Sequence, residues 1–199
     1  MMKIYIDFKS PLFYLAYKPT LALIEKHGIV PEWIPFRSIQ EPMPPRLTEE
    51  TKTETHFRIR AEARQNNHLM YAEYQKLPMT FPSEPGETDL ALAALLHLQD
   101  DPGDFIQAAL EAYWVKNADL NNFEVVSGIL SEIGIDPSQC DFSSYLTQLE
   151  AIQKDAWDGG VVEAPAYVIG GQVFIGREHL PWIESLIVSQ KTEIHAHSE

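Results

Sequence analysis

Few residues in this chain have both the type and the setting for chemistry. Cys140 is the single cysteine, so no intrachain disulfide and no CxxC redox centre can form. It follows Pro137-Ser138-Gln139, far from every other motif, and reads as a partly buried structural thiol rather than a nucleophile. The histidines at 27, 56, 68, 97 and 179 lack the tight spacing of metal ligands. His195-Ala196-His197 lies in a polar tail that suits motion better than metal binding. Arg58, Arg60 and Arg64 fall at helical spacing and read as a solvated face, one that could also attract an anion.

Two prolines carry more information. Pro165 stands directly ahead of a short apolar run, and its ring allows the Ala164-Pro165 bond a cis geometry that other residues rarely reach. Only ~5% of X-Pro bonds in folded proteins are cis, so context must decide. A cis bond here would leave the Ala164 backbone free to pair with an extended ligand, as a sheet edge does. Pro11 follows Ser10; serine is a preferred N-cap and proline a preferred first helical residue, so a helix starts at this pair.

The elements around these residues follow from pattern. Ala166 to Ile169 and Gln172 to Ile175 are apolar runs separated by Gly170-Gly171, the mark of a hairpin with a primed turn. Leu180, Ile183 and Ile187 then take helical spacing, with Pro181 tolerable in the first turn. At the other end, Met2 to Phe8 suits a strand. The helix from Ser10 is expected to be interrupted by Pro19, with a second stretch from Thr20 to His27 closed by Gly28. Ile29 to Phe36 reads as another strand, parallel to the first.

Prolines at 42, 44 and 45 make the stretch from Arg37 to Leu47 a link. Helical patterns follow: one starting at Thr48-Glu49-Glu50 and running to Gln75, then Leu90 to Leu98, Asp104 to Lys116, Asn122 to Ile133 closed by Gly134, and a last one opened by Ser143 or Ser144. Asp158-Gly159-Gly160 ends the block. A lone β-α-β leaves its sheet half covered and a lone hairpin with one helix is marginal. Joined, the two ends form a four-stranded mixed sheet with helices on both faces. The expectation is an α/β, thioredoxin-like protein: residues 1–40 and 158–199 form a discontinuous thioredoxin-like domain, and 41–157 an inserted helical domain.

Composition narrows the function. At 199 residues and 45% hydrophobic, the chain can bury a sizeable core and fold unaided. A formal charge of −14 argues against nucleic acid or an anionic membrane as partner. The opening MMKIYIDF reads as a strand rather than a targeting segment, and no apolar run approaches the ~20 residues of a membrane span. A soluble cytoplasmic protein is expected.

With that plan in hand, DFKSPLFYLA and EAPAYVIGGQVFIGREHLPWI resemble the two end motifs of the 2-hydroxychromene-2-carboxylate isomerases and kappa-class glutathione transferases. These form a DsbA-like branch of the thioredoxin superfamily in which a serine replaces the redox cysteine pair. FPSEPGETDLALAALLHL and EAYWVKNADLNNFEVVSGIL are similar to the family's inserted helical domain. The resemblance implies glutathione as cofactor, bound between the domains, with Ser10 and Pro11 at the helix start, Ala164 and cis-Pro165 beside the cysteinyl part, and Glu178 at the γ-glutamyl ammonium. Arg177 would either clash with the ligand's carboxylate end or contribute a charge to it.

Ser10 would act as the catalytic residue, stabilising a glutathione thiolate that adds reversibly to a small electrophilic acid. The alternative is a noncatalytic glutathione- or peptide-binding protein on the same scaffold. A homodimer is implied by the resemblance alone. Three departures from the family stand out: the link EPMPPRL has no asparagine before its prolines, Phe13 replaces a second serine, and the family lysine falls at either Lys52 or Arg60.

Overall fold

The computed structural model describes residues 2–98 and 101–196. Four strands, β1 (Lys3–Ile6), β2 (Glu32–Pro35), β3 (Ala166–Ile169) and β4 (Gln172–Ile175), form one sheet in the order β2-β1-β3-β4. β1 runs parallel to β2 and antiparallel to β3, and β3 pairs antiparallel with β4. The two ends of the chain therefore make one α/β sheet of the thioredoxin plan. Gly170 and Gly171 both take positive φ, 58° and 76°, which the two-residue turn demands and only glycine adopts cheaply.

Strand alternation sorts the core. Ile4, Ile6, Trp33, Tyr167, Ile169 and Phe174 share a cluster with Phe13 and Tyr17 of α1 (Pro11–His27) and with Ile183 and Ile187 of α7 (Leu180–Ala196). The opposite face of the sheet presents Tyr5, Ala166, Val168 and Ile175 to Ala156 of α6 (Phe142–Asp158), with Phe36 and Val161 at the margin. Between the two ends lie α2 (Lys52–Gln75), α3 (Asp89–His97), α4 (Gly103–Trp114) and α5 (Phe123–Glu132). The first cluster continues into this block through Leu92, Phe105 and Trp114, so the sheet and the helices share one apolar interior. Among the described residues, no helix is long and apolar enough to cross a membrane.

Four expectations need correction. Pro19 does not interrupt α1, which runs unbroken from Pro11 to His27. Proline at 19 cannot donate to the Leu15 carbonyl four residues back, and the Gln75 side-chain amide donates to that carbonyl instead, at 3.2 Å. α2 starts at Lys52 rather than at Thr48, because Thr51 and Glu54 form a reciprocal capping box. Arg58 is not on a solvated face: only 7% exposed, it donates to both oxygens of Glu50 and to Glu62. Arg60 and Arg64 are exposed, as are Lys52 and Glu73. α7 reaches Ala196, so the backbone of His195 is helical rather than part of a tail, while His197 lies outside the described residues.

Candidate functional site

The N-terminus of α1 meets the loop before β3. Ser10 caps the helix, its hydroxyl accepting from the Phe13 N–H at 3.2 Å and donating to the Ala164 carbonyl at 2.6 Å. The Ala164-Pro165 bond is cis. Ser10 and Ala164 are fully buried and Pro11 is buried at the first helical position. The two end motifs thus meet across more than 150 residues of chain, as the paired serine and proline implied. The serine's one proton is already committed to a backbone oxygen, so the site is set in a polar contact internal to the protein.

The segment that leads from β1 to Ser10 is anchored by a carboxylate. Asp7 is completely buried; it accepts from the Ser38 N–H at 2.7 Å, the Thr88 hydroxyl at 2.6 Å and the Lys9 N–H at 3.2 Å. Burial raises its pKa above the ordinary carboxylate value, against the lowering effect of the Thr88 bond and the nearby Lys9 charge. One side chain therefore ties β1 to the end of β2 and to Thr88, the residue ahead of α3. From the other side, the Trp114 indole N–H donates to the Phe8 carbonyl at 2.9 Å, and Tyr14 stacks on Trp114 with centroids 5.5 Å apart.

Beyond β4 the chain returns to the same junction. The Gly176 N–H donates to the Pro165 carbonyl at 2.9 Å, so Arg177 and Glu178 follow a residue bonded directly to the cis-proline. Gly176 has φ 92°, a conformation that glycine alone adopts without strain, and its nearest neighbour is the movable carboxylate end of Glu178. Glu178 is exposed. The Arg177 guanidinium sits 4.0 Å from the centroid of the Tyr71 ring, a cation–π contact that reaches from the hairpin to α2. Lys52 and Arg60 are elsewhere: at 1.5 Å of rise per residue they lie roughly 28 and 16 Å from Tyr71 along the α2 axis.

A cavity of about 780 Å³ opens beside the motif, lined by Lys9, Arg37, Ser38, Gln153, Lys154 and Trp157 among others. Its cations are already engaged: Lys9 with Glu87 at 2.7 Å, and Arg37 with Asp89 and Glu150. Reading the sequence missed Asp7, Lys9, Ser38, Thr88 and Trp114. The one local signal was an acid placed within the apolar strand run IYIDF. Cys140 is buried and its thiol is pushed up to about 11, chiefly by burial, so it is protonated at neutral pH and unsuited to nucleophilic work.

No family model matches the chain. Its sequence is 25% identical over 189 residues to a 2-hydroxychromene-2-carboxylate isomerase of Sphingobium xenophagum, covering 92% of this chain and 96% of that protein. Among solved structures, a 2-hydroxychromene-2-carboxylate isomerase superposes with a TM-score of 0.74 at 14% identity, over 100% of this chain and 98% of that one. A probable DsbA oxidoreductase of Streptomyces coelicolor gives 0.69 at 16% identity, over 94% and 89%. The cytosolic disulfide reductase DsbM of Pseudomonas aeruginosa, solved with GSH, gives 0.61 at 14%, over 98% of each. The sequence likeness and the shared architecture agree with the two end motifs: this chain is similar in sequence to a 2-hydroxychromene-2-carboxylate isomerase and is built on the DsbA-like thioredoxin fold.

Proposed function

We propose that the chain is a glutathione-dependent isomerase, or a kappa-like glutathione transferase, in which Ser10 stabilises a thiolate. The observation that carries this reading is the Ser10 hydroxyl at the N-terminus of α1, 2.6 Å from the carbonyl that precedes cis-Pro165, with no cysteine at either motif. Bound glutathione would supply a thiolate nucleophile for reversible addition to a small unsaturated acid. The chain's own part is to hold that sulfur as an anion. A free thiol with a pKa near ~8.5 is mostly protonated at neutral pH, and a hydroxyl donor plus the positive end of a 17-residue helix favours the charged form.

The residues fit an extended thiol peptide through one exchange of partners. Turning the Ser10 proton toward sulfur frees the Ala164 carbonyl, and an N–H of the peptide backbone can take the serine's place there. Phe13 N–H continues to hold the serine oxygen, so the helix cap survives the exchange. Glu178, exposed two residues after Gly176, offers a carboxylate to an ammonium, and Arg177 offers a guanidinium to a carboxylate. That the DsbM neighbour was solved with GSH supports the choice of ligand.

One observation favours the noncatalytic alternative: Ser10 is fully buried and both of its hydrogen bonds are satisfied within the protein. Titration calorimetry with reduced glutathione, followed by thiolate absorbance of the complex, separates the readings. Saturable binding with thiolate present at neutral pH is expected. Binding without thiolate selects a noncatalytic glutathione-binding protein, and no heat at millimolar glutathione removes the catalytic reading and leaves peptide binding.

A further inference from the structure

The cations that line the cavity beside the end motifs are not equally engaged. Arg37 gives each guanidinium nitrogen to a carboxylate, Nε and Nη2 to Asp89 and Nη1 to Glu150. Lys154 pairs with Asp158 on its own helix, both in solvent. Lys9 is different. Its ammonium carries three protons, and its side chain is only 7% exposed, yet its one ion pair among the described residues is with Glu87, whose side chain is 67% exposed. Exposed charges gain little from pairing, and Glu87 can swing into water where the buried ammonium cannot follow. An anion entering the cavity competes with one loosely held carboxylate.

The neighbouring group is a hydroxyl without a partner. Ser38 lines the cavity, is only 4% exposed, and its Oγ makes no hydrogen bond with any described residue. A buried polar group left unmet is costly. No bond holds this hydroxyl in its present rotamer, so turning about χ1 toward an incoming acceptor gives up nothing and supplies the missing bond. Asp7 keeps the two donors side by side, accepting from the Lys9 N–H at one carboxylate oxygen and from the Ser38 N–H at the other. The rest of the lining adds an apolar surface. Gln153 of α6 accepts from the Arg37 N–H at 2.8 Å, and Trp157, one turn further along the same helix face, is exposed, as is Ile39. At about 780 Å³ the cavity has the volume of a small-molecule site. Adjacent donors together with a bare indole suit a flat molecule with one acid group.

We propose that this cavity binds a planar organic monocarboxylate, aromatic or conjugated, whose carboxylate displaces Glu87 from Lys9 and accepts from the Ser38 hydroxyl while its flat body lies on Trp157. Glu150 also lines the cavity and is paired with Arg37; its charge counts against a second acid group on the ligand. Because Lys9 directly precedes Ser10, the site would hold the electrophilic acid beside the thiolate. That role rests on the thiolate chemistry proposed for Ser10, while the binding itself does not.

Calorimetry on the full chain without glutathione tests the binding, with trans-cinnamate as the probe and cinnamamide as its neutral counterpart. Saturable binding of cinnamate is expected, tighter than that of the amide by about tenfold or more. Glu87→Gln removes the competing carboxylate and should tighten cinnamate binding by up to about fivefold, an effect that damage to the fold cannot give. Lys9→Gln should weaken it by about tenfold or more, and Ser38→Ala by about fivefold. Circular dichroism checks that both fold. Should either fail, the exposed Trp157→Ala, expected to lose saturable binding, decides together with Glu87→Gln. No cinnamate binding at millimolar concentration, equal binding of the amide, an affinity unmoved or lowered by Glu87→Gln, or full affinity in Trp157→Ala would each overturn the proposal. Such a failure leaves the glutathione titration standing, whereas a chain that binds cinnamate but not glutathione keeps the site and loses only its role beside Ser10.

Discussion

Two helices in this chain open with the same local device and use it differently. Ser10 of α1 and Thr51 of α2 each accept a hydrogen bond from the N–H three residues on, both at 3.2 Å. The difference lies in where the hydroxyl proton goes. Thr51 gives its proton to Glu54, its own capping partner, at 2.7 Å in an exposed setting. Ser10 gives its proton to Ala164, across 154 residues of chain and in a fully buried setting. A cap that bonds within its own turn serves the helix alone. One that spends its proton on a loop before a cis-proline is set where a ligand can compete for it.

The largest effect expected from breaking this contrast is at the carboxylate that anchors the buried cap. Asp7→Ala strips a partner from the Ser38 N–H, the Lys9 N–H and the Thr88 hydroxyl at once. Buried donors left unmet cost about 1–3 kcal/mol each before relaxation, so a loss of about 3–5 kcal/mol is expected by urea denaturation. Glu54→Ala, the corresponding change at α2, removes one exposed partner from the capping box and should cost far less. Equal losses at the two sites would erase the distinction between the caps.

The caps themselves come next. Ser10→Ala should lower glutathione-dependent turnover by about 10²-fold, the scale of losing one donor aimed at developing charge, while costing about 1–3 kcal/mol in stability, a lost cap plus a buried Ala164 carbonyl without its donor. Thr51→Ala should cost ~1 kcal/mol, an exposed cap alone, and leave turnover unchanged. Steady-state kinetics set beside melts of both variants check the pair. Turnover that survives Ser10→Ala would reduce Ser10 to the same role as Thr51.

A smaller effect tests the unexpected continuity of α1. Gln75→Ala removes the side chain that serves the Leu15 carbonyl left open by Pro19, with an expected loss of about 1 kcal/mol. Replacing Pro19 by alanine restores the backbone donor and should make Gln75→Ala nearly silent, which a double-mutant cycle reads directly.

These cases also mark what the sequence could show. The Gly170-Gly171 hairpin, the Ser10-Pro11 helix start and the Gly28 stop were legible because each is decided within a few residues. The meeting of Ser10 with Pro165 was legible through the topology that joins the two ends and through the motif resemblance. The rest depended on partners far along the chain. Asp7 is held by groups 31 and 81 residues away, and the carbonyl opposite Pro19 is served from 60 residues away; an acid in an apolar strand run marks Asp7, but no local pattern names the distant partners. Arg58 looked solvated because its spacing matches Arg60 and Arg64, while the loop residue Glu50 that buries it lies outside the helix. The start of α2 is a different lapse: Thr51 and Glu54 carry the capping-box spacing in plain view.

The two helix starts should also part company in acid. At α2, hydrogen bonds from Arg58 hold the Glu50 carboxyl down at about 2, from an ordinary 4.5, and bonds from Thr51 lower Glu54 as well. A carboxyl whose folded pKa is depressed binds its proton more readily in the unfolded chain. Its contribution is therefore present above about 4.5 and lost as pH falls toward about 2. At α1 the sign reverses. Burial raises the pKa of Asp7, so its contribution is present in acid and lost as pH rises through its folded value. Amide exchange between pH 4.5 and 2, corrected for intrinsic rates, should show protection falling first at residues 54–58 of α2 while residues 10–14 of α1 keep theirs. Glu50→Gln, which lacks the titrating group, should flatten the α2 response. Protection lost together at both starts would mean that the two caps unfold as one unit, and the contrast drawn from their hydroxyl protons would then carry no difference in local stability.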